Sequence, residues 1–362
     1  MQKSQRLIEL DFLRGLVLLI IVVDHIGGSI LSRFTLHAYA FCDAAEVFVF
    51  LGGYATATAY LSLVCKHDEA AARQRFLRRA LEIYRAFLVT AGLMLVISAA
   101  LVALGMNEAP NLAYADLDNL TSMPLQTLLD ILLLRRQPYL ASVLPMYALF
   151  ALSVPFTLPL ARKKPWLLVI ASVGLWAGSA HLLPYLPAAN DMHWDFNPFA
   201  WQLMFSLGVL ARCQPIYQRA SATHFGPLLS ALALSLIAVL CVMKASGMPE
   251  ALRPEFKQNL AWQRVANFLA IAWLVADLIR TGWAKKAAHW LPWISTVGRK
   301  GLLCFIAGTA ISLILDSTLY TITNGLLDVP LGLAADAVAI GALFAVAKAY
   351  GPLTRALAVK TN

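Results

Sequence analysis

Charge is scarce in this chain. Only 14% of its 362 residues are Asp, Glu, Lys or Arg, 60% are hydrophobic, and the mean hydropathy is +0.68. An ordinary soluble domain carries about 25% charged residues, so the composition excludes a water-facing globular enzyme. Alternation of polar and apolar residues, the mark of a membrane β-barrel, is also lacking. The five cysteines (Cys42, Cys65, Cys213, Cys241 and Cys304) have neither disulfide pairing nor metal-ligand spacing. Burial as small apolar side chains accounts for them, and no metal is expected. No internal repeat, low-complexity tract or linker interrupts the chain, and no connection is long enough for a soluble domain. Residues 1–362 read as one integral membrane domain.

What the chain has is a succession of apolar stretches, each about as long as a bilayer is thick. They fall at 12–31, 43–65, 86–105, 140–161, 166–186, 198–213, 225–243, 262–280, 299–316 and 330–349. The sixth is short and Gly308 interrupts the ninth. This pattern predicts an all-α polytopic membrane protein, a bundle of about ten transmembrane helices. The first stretch is not a cleaved signal, because Asp24 and His25 interrupt it and no small-residue cleavage site follows.

The net charge of +9 is not a nucleic-acid signature, and no nucleic-acid partner is expected, because the basic residues alternate between connections. One side holds Lys3, Arg6, the run from Lys66 to Arg85, Arg162 to Lys164, and Arg280 to Lys300. The other holds few, among them Arg135, Arg136 and Arg264. The bias is about three to one and predicts that both termini are cytoplasmic. The outer segment 106–139 contains an apolar run, LQTLLDILLL, that fits a re-entrant or surface helix.

Three ionisable residues lie in the first stretch: Arg14, Asp24 and His25. Such groups cost at least a few kcal/mol in lipid and are usually retained for a purpose. On a continuous helix Arg14 and His25 share one face, roughly 16 Å apart along the axis. Arg14 reads either as a snorkelling cation paired with Asp11 or as a clamp for phosphate or carboxylate. His25 reads as a packing residue or as a general base, with Asp24 as an orienting group. Glu46 reads as an interfacial carboxylate or as a partner for His25. Gly52 and Gly53 either let helices approach closely or leave a slot for a thin ligand chain. The aromatic cluster HWDFNPFAWQ, with Trp194, Asn197 and Trp201, is denser than a membrane belt requires and would suit a sugar face.

Five blocks together resemble the OpgC branch, the glucan succinyltransferases, of the acyltransferase 3 superfamily of membrane acyltransferases. They are DFLRGLVLLIIVVDH, DAAEVFVFLGGY, LPMYALFALSVP, FNPFAWQL and VGRKGLLCF, spread from residue 11 to 305. Arg14 and His25 supply the spaced Arg and His of the first block. FVFLGGY resembles the superfamily's aromatic-rich motif, with Gly52 where serine is common, and Lys300 departs from the residue expected after Gly-Arg.

The resemblance implies a multi-pass enzyme of the bacterial inner membrane with no permanently bound cofactor. Its donor substrate would be acyl-coenzyme A, in particular succinyl-coenzyme A. Its acceptor would be a sugar hydroxyl of an osmoregulated periplasmic glucan. His25 would be the catalytic base, assisted by Glu46 and Asp24. Arg14, Gly52, Gly53, Tyr54, Trp194, Asn197 and Trp201 would contact substrates. A polytopic transporter with an Arg/His/Glu relay is the rival from another class; it would show inverted repeats, and none is detectable in this sequence.

Overall fold

The computed structural model describes residues 8–360 except 115, 190, 191, 249, 250 and 252. Lys3 and Arg6, counted on the inner side, lie outside them. No strand occurs among the described residues, and the all-α membrane architecture is borne out. Ten helices follow the expected stretches: α1 (Ile8–Asp24), α2 (Ala44–Lys66), α3 (Glu69–Ala103), α4 (Val143–Lys163), α5 (Pro165–Ala177), α6 (Pro198–Cys213), α7 (Gly226–Ala245), α8 (Trp262–Arg280), α9 (Gly301–Thr323) and α10 (Val329–Lys360).

Not all ten are long enough to cross a membrane alone. Seven are: α2, α3, α4, α7, α8, α9 and α10. An eighth span is completed if α5 is joined to Ser179–Tyr185 across a 67° bend at Gly178. Helices α1 and α6 have 17 and 16 residues. At ~1.5 Å per residue they reach about 25 Å, short of the roughly 30 Å hydrocarbon core. The causes are local. After Asp24 the chain turns through His25, Ile26, Gly27 and Gly28, while α6 is bracketed by Pro198 and by Gln214 with Pro215.

Sequence signals set other helix starts. Asp43 caps α2 in a reciprocal box with Glu46, which satisfies backbone donors at both positions. Asn197 caps α6 by accepting from the Phe199 N–H, with Pro198 at the first helical position. The outward faces stay apolar: Leu228, Leu232, Val239 and Val242 on α7 are all exposed, as lipid contact requires.

The chain divides into two compact units. The first comprises Tyr39–Ala91 and Asp118–Arg280. Of the described residues, the second comprises 8–38, Gly92–Leu117 and those from Thr281 onward. In the first unit α2 crosses α6, and α6 also packs on α4 and α5. The crossing is backbone on backbone: a Cβ added at Gly53 would collide with the Phe205 carbonyl, and one at Gly208 with the Phe50 carbonyl. Phe150 and Phe205 stack at 5.0 Å beside it.

The second unit repeats the device. Helix α1 packs on the short helix Pro292–Arg299 and on α9 and α10. A Cβ at Gly15 would meet the Ile294 carbonyl, and one at Gly298 the Asp11 carbonyl. Overpacking a tight contact typically costs ~1–3 kcal/mol, more when only backbone can yield. Gly298→Ala is therefore expected to lower the thermal midpoint of the detergent-solubilised protein by several degrees. Gly92, with nothing within 4 Å of its virtual Cβ, is the control. Gly92→Ala should be neutral or mildly stabilising.

Candidate active site at the end of α1

His25 sits in the turn immediately after α1, one residue beyond the last helical position. Its Nδ1 lies 2.6 Å from the Ile21 carbonyl oxygen. A carbonyl only accepts, so Nδ1 carries the proton and donates it. This satisfies one of the carbonyls orphaned at a helix C-terminus. In the neutral ring the basic lone pair is then on Nε2. The sequence pattern placed the ring on a helix face; the structure places it at the helix end, held by the backbone.

Two buried aspartates of the same unit hold the loop that follows. Asp316 on α9 accepts from the Gly27 N–H at 2.7 Å and from Asn111 Nδ2 at 2.5 Å. A Cβ at Gly27 would stand 3.2 Å from Asp316 Oδ1, a tight contact in which the carboxylate would have to shift slightly. Asp336 on α10, 1% exposed, accepts from Ser29 Oγ at 2.5 Å and from the Ile30 and Leu31 N–H groups at 3.0 and 2.9 Å. Asp24 accepts from Thr35 Oγ1 at 2.7 Å. The Ser312 hydroxyl donates to the Val22 carbonyl at 2.9 Å and ties the last turn of α1 to α9. His25 is thus carried on a turn fixed at both ends.

Arg14, half-buried on α1, lays its guanidinium against Gly301, where any Cβ would overlap Nη2. Asp11, its expected partner, has Arg299 Nε at 3.9 Å. Lys300 Nζ stands 4.4 Å from the Tyr350 ring centre. Arg14, Arg299 and Lys300 therefore gather around the start of α9. Three cations beside a helix N-terminus make an arrangement suited to phosphate or carboxylate.

The remaining expected residues belong to the first unit. Glu46 is fully buried. Its Oε1 accepts from Arg264 Nε at 2.5 Å and its Oε2 from the Asp43 N–H at 2.9 Å, so both oxygens are engaged within this unit. Asp43 in turn meets Lys257 Nζ at 2.9 Å and Arg264 Nη2 at 3.1 Å. Burial alone would raise the Asp43 pKa. The charges of Lys257 and then Arg264, with the Ala45 N–H, hold it well below the ordinary carboxylate value instead. Gly53 serves the helix crossing instead of leaving a slot, and the space beside Gly52 is filled by the Tyr147 ring. Tyr54 is half-buried on α2 next to the Gly208 contact.

The aromatic cluster faces inward. A sugar-stacking ring must present a face, yet Trp194 is 3% exposed and Trp201 and Asn197 are fully buried. The Trp194 indole donates to the Pro187 carbonyl, and the Trp201 indole to the Lys257 and Gln258 carbonyls. Asn197 Nδ2 donates to the Ser179 carbonyl and to Asn259 Oδ1. These three side chains brace loops.

Residues 6–355 match the family model described as OpgC protein. The chain belongs to the OpgC family. Neither a curated protein nor a solved structure matches it. Membership implies an acyltransferase-type membrane enzyme of glucan modification. In this OpgC protein the sequence alone does not single out Asp316 or Asn111, and it shows Arg264 only as one of the few basic residues on the outer side. The one local signal for the last was the Asp-x-x-Glu capping box at Asp43 and Glu46, a buried carboxylate pair that requires a cation.

Proposed function

We propose that this OpgC protein is a membrane O-acyltransferase of the acyltransferase 3 type. It takes a succinyl group from cytoplasmic acyl-coenzyme A and places it on sugar hydroxyls of a periplasmic glucan, with His25 as general base. The observation that carries the reading is the tethered ring. An imidazole whose Nδ1 is committed to a backbone carbonyl offers Nε2 as the proton acceptor in a fixed direction. Nε2 takes the proton of the acceptor hydroxyl as its oxygen attacks the thioester carbonyl. The tetrahedral intermediate then collapses, the C–S bond breaks, and the coenzyme A thiolate leaves with the proton from the imidazolium. An ester and a free thiol result.

The cations around Arg14 fit the donor's phosphates, and termini in the cytoplasm would put them on the donor's side. The purified protein is expected to release free thiol from succinyl-coenzyme A only when glucan is present, with the glucan gaining the mass of succinyl. Absence of both, with the donor intact, would overturn the reading in favour of a transporter.

The two signature residues should separate kinetically. Arg14→Lys keeps the charge and loses the bidentate fork. A raised apparent KM for acyl-coenzyme A is expected, with the KM for glucan unchanged. Arg14→Ala should weaken the donor further. Unchanged calorimetric affinity for coenzyme A in both variants would remove Arg14 from the donor site.

A further inference from the structure

The first unit contains a cavity of about 300 Å³ that the reaction described above does not use. Asn119, Gln126, Thr127, Asp130, Arg135 and Arg136 line it together with Met123 and Ala189, so its wall mixes polar and apolar surface. The volume is at the lower end of the range for small-molecule sites, ~300–1,000 Å³.

The chain is shaped to make this wall. The short helix Pro124–Leu132 is two-faced. Leu125, Leu128, Leu129 and Leu132 are exposed on it, while Thr127 and Asp130 are buried. An apolar outer face of this kind belongs at a lipid boundary, which leaves the polar face for the cavity. The helix ends in a left-handed residue that is not glycine: Leu134 has φ 59°. That turn brings the Arg135 and Arg136 N–H groups back onto the Asp130 carbonyl at 2.7 and 3.1 Å. Glycine is the usual choice at such a position, so Leu134 holds a strained backbone next to the cavity wall. Inside, Gln126 Nε2 donates to Asp130 Oδ2 at 3.1 Å and Arg135 Nη1 stands 3.2 Å from Asp130 Oδ1. Thr127 Oγ1 donates to the Asn119 carbonyl at 2.9 Å.

From this geometry we infer that the cavity is a subsite for a neutral sugar residue of the acceptor glucan, set apart from the end of α1 in sequence and in structural unit. The inference rests on the proposed glucan acylation and on the outer placement of residues 106–139. An anion would be served by the two arginines alone, and the Asp130 carboxylate in the same wall disfavours one. A sugar hydroxyl both donates and accepts, and this wall offers both: amides at Asn119 and Gln126, guanidinium donors at Arg135 and Arg136, and carboxylate acceptors at Asp130.

The test uses the full-length purified protein and a short gluco-oligosaccharide as probe, with binding read by calorimetry. Gln126→Ala and Arg135→Gln remove wall groups from partly exposed positions, so the fold should survive; retention of coenzyme A binding verifies this. Wild-type protein should bind the probe, and each variant should bind it about three- to tenfold more weakly, the loss of one hydrogen bond. Transfer assays should show the same rise in KM for glucan and none for the donor. Equal probe affinity in all three proteins would overturn the subsite while leaving the acyltransferase reading standing. Loss of probe binding in the variants of a protein that transfers no acyl group would support the subsite and sink that reading instead. Displacement of the probe by succinate at low concentration would identify an anion site and overturn the sugar assignment.

Discussion

His25→Ala and His25→Gln are expected to lower the rate of acyl transfer by about 10²–10⁴-fold, the usual value of a positioned base. Glutamine reproduces hydrogen bonding but accepts no proton near neutrality, so it should not rescue. The structural loss is small. The ring's bond to the Ile21 carbonyl is one hydrogen bond at a helix end, and its removal should cost about 1 kcal/mol. Both variants should therefore insert, purify and bind coenzyme A like the parent, with the loss confined to kcat because the base acts in the transition state. A glutamine variant within a few-fold of wild type would remove proton abstraction from this residue.

The largest loss of stability is expected from Arg264→Ala. Arg264, 6% exposed, is the shared counter-ion of two buried carboxylates, Asp43 and Glu46. Removing it leaves Glu46 without a cation and Asp43 with Lys257 alone. Breaking a buried pair from one side typically destabilises by about 3–5 kcal/mol. The variant should be poorly recovered from membranes, with a sharply lowered midpoint in a tryptophan-fluorescence melt. Glu46→Gln, which keeps hydrogen-bonding capacity, should cost less, and combining it with Arg264→Met should recover part of the loss. A melt for Arg264→Ala within a degree or two of wild type would refute the network's structural role. The same network carries a pH dependence. Asp43 is ionised more readily in the folded chain than in the unfolded one. Its contribution is therefore complete above the ordinary carboxylate range and is lost as pH falls through its depressed native value.

The positions of all ten helices were readable because an apolar run about twenty residues long has few other fates. The short helix Pro124–Leu132 in segment 106–139 was also legible, from the apolar run LQTLLDILLL. The short α6 was legible as well, its expected stretch 198–213 matching Pro198–Cys213; the end of α1 was not, since apolarity continues past Asp24 in Ile26 and Ile30 while Gly27 and Gly28 end the helix. At the candidate site, His25 and Arg14 stood out because a charge in an apolar run is costly. Their supports did not. Asp316 and Asp336 act on the loop after His25 from 289 and up to 307 residues away, and no spacing rule reaches that far. The burial of Trp194 and Trp201 was illegible for a related reason. A dense aromatic motif looks alike whether its rings face a ligand or fill a core, and only the carbonyl partners of the indoles decide.

The glycine crossing between α1 and Pro292–Arg299 limits the route by which a donor could travel along α1. Where side chains separate two helices, a rotamer change can open a gap; between Gly15 and Gly298 no side chain is present to swing aside. That flank of α1 is a sealed seam. Under the proposed acyl transfer, a thioester moving from the level of Arg14 to that of His25 would pass along another flank of the helix, and any gate on its path would be built from residues outside this seam.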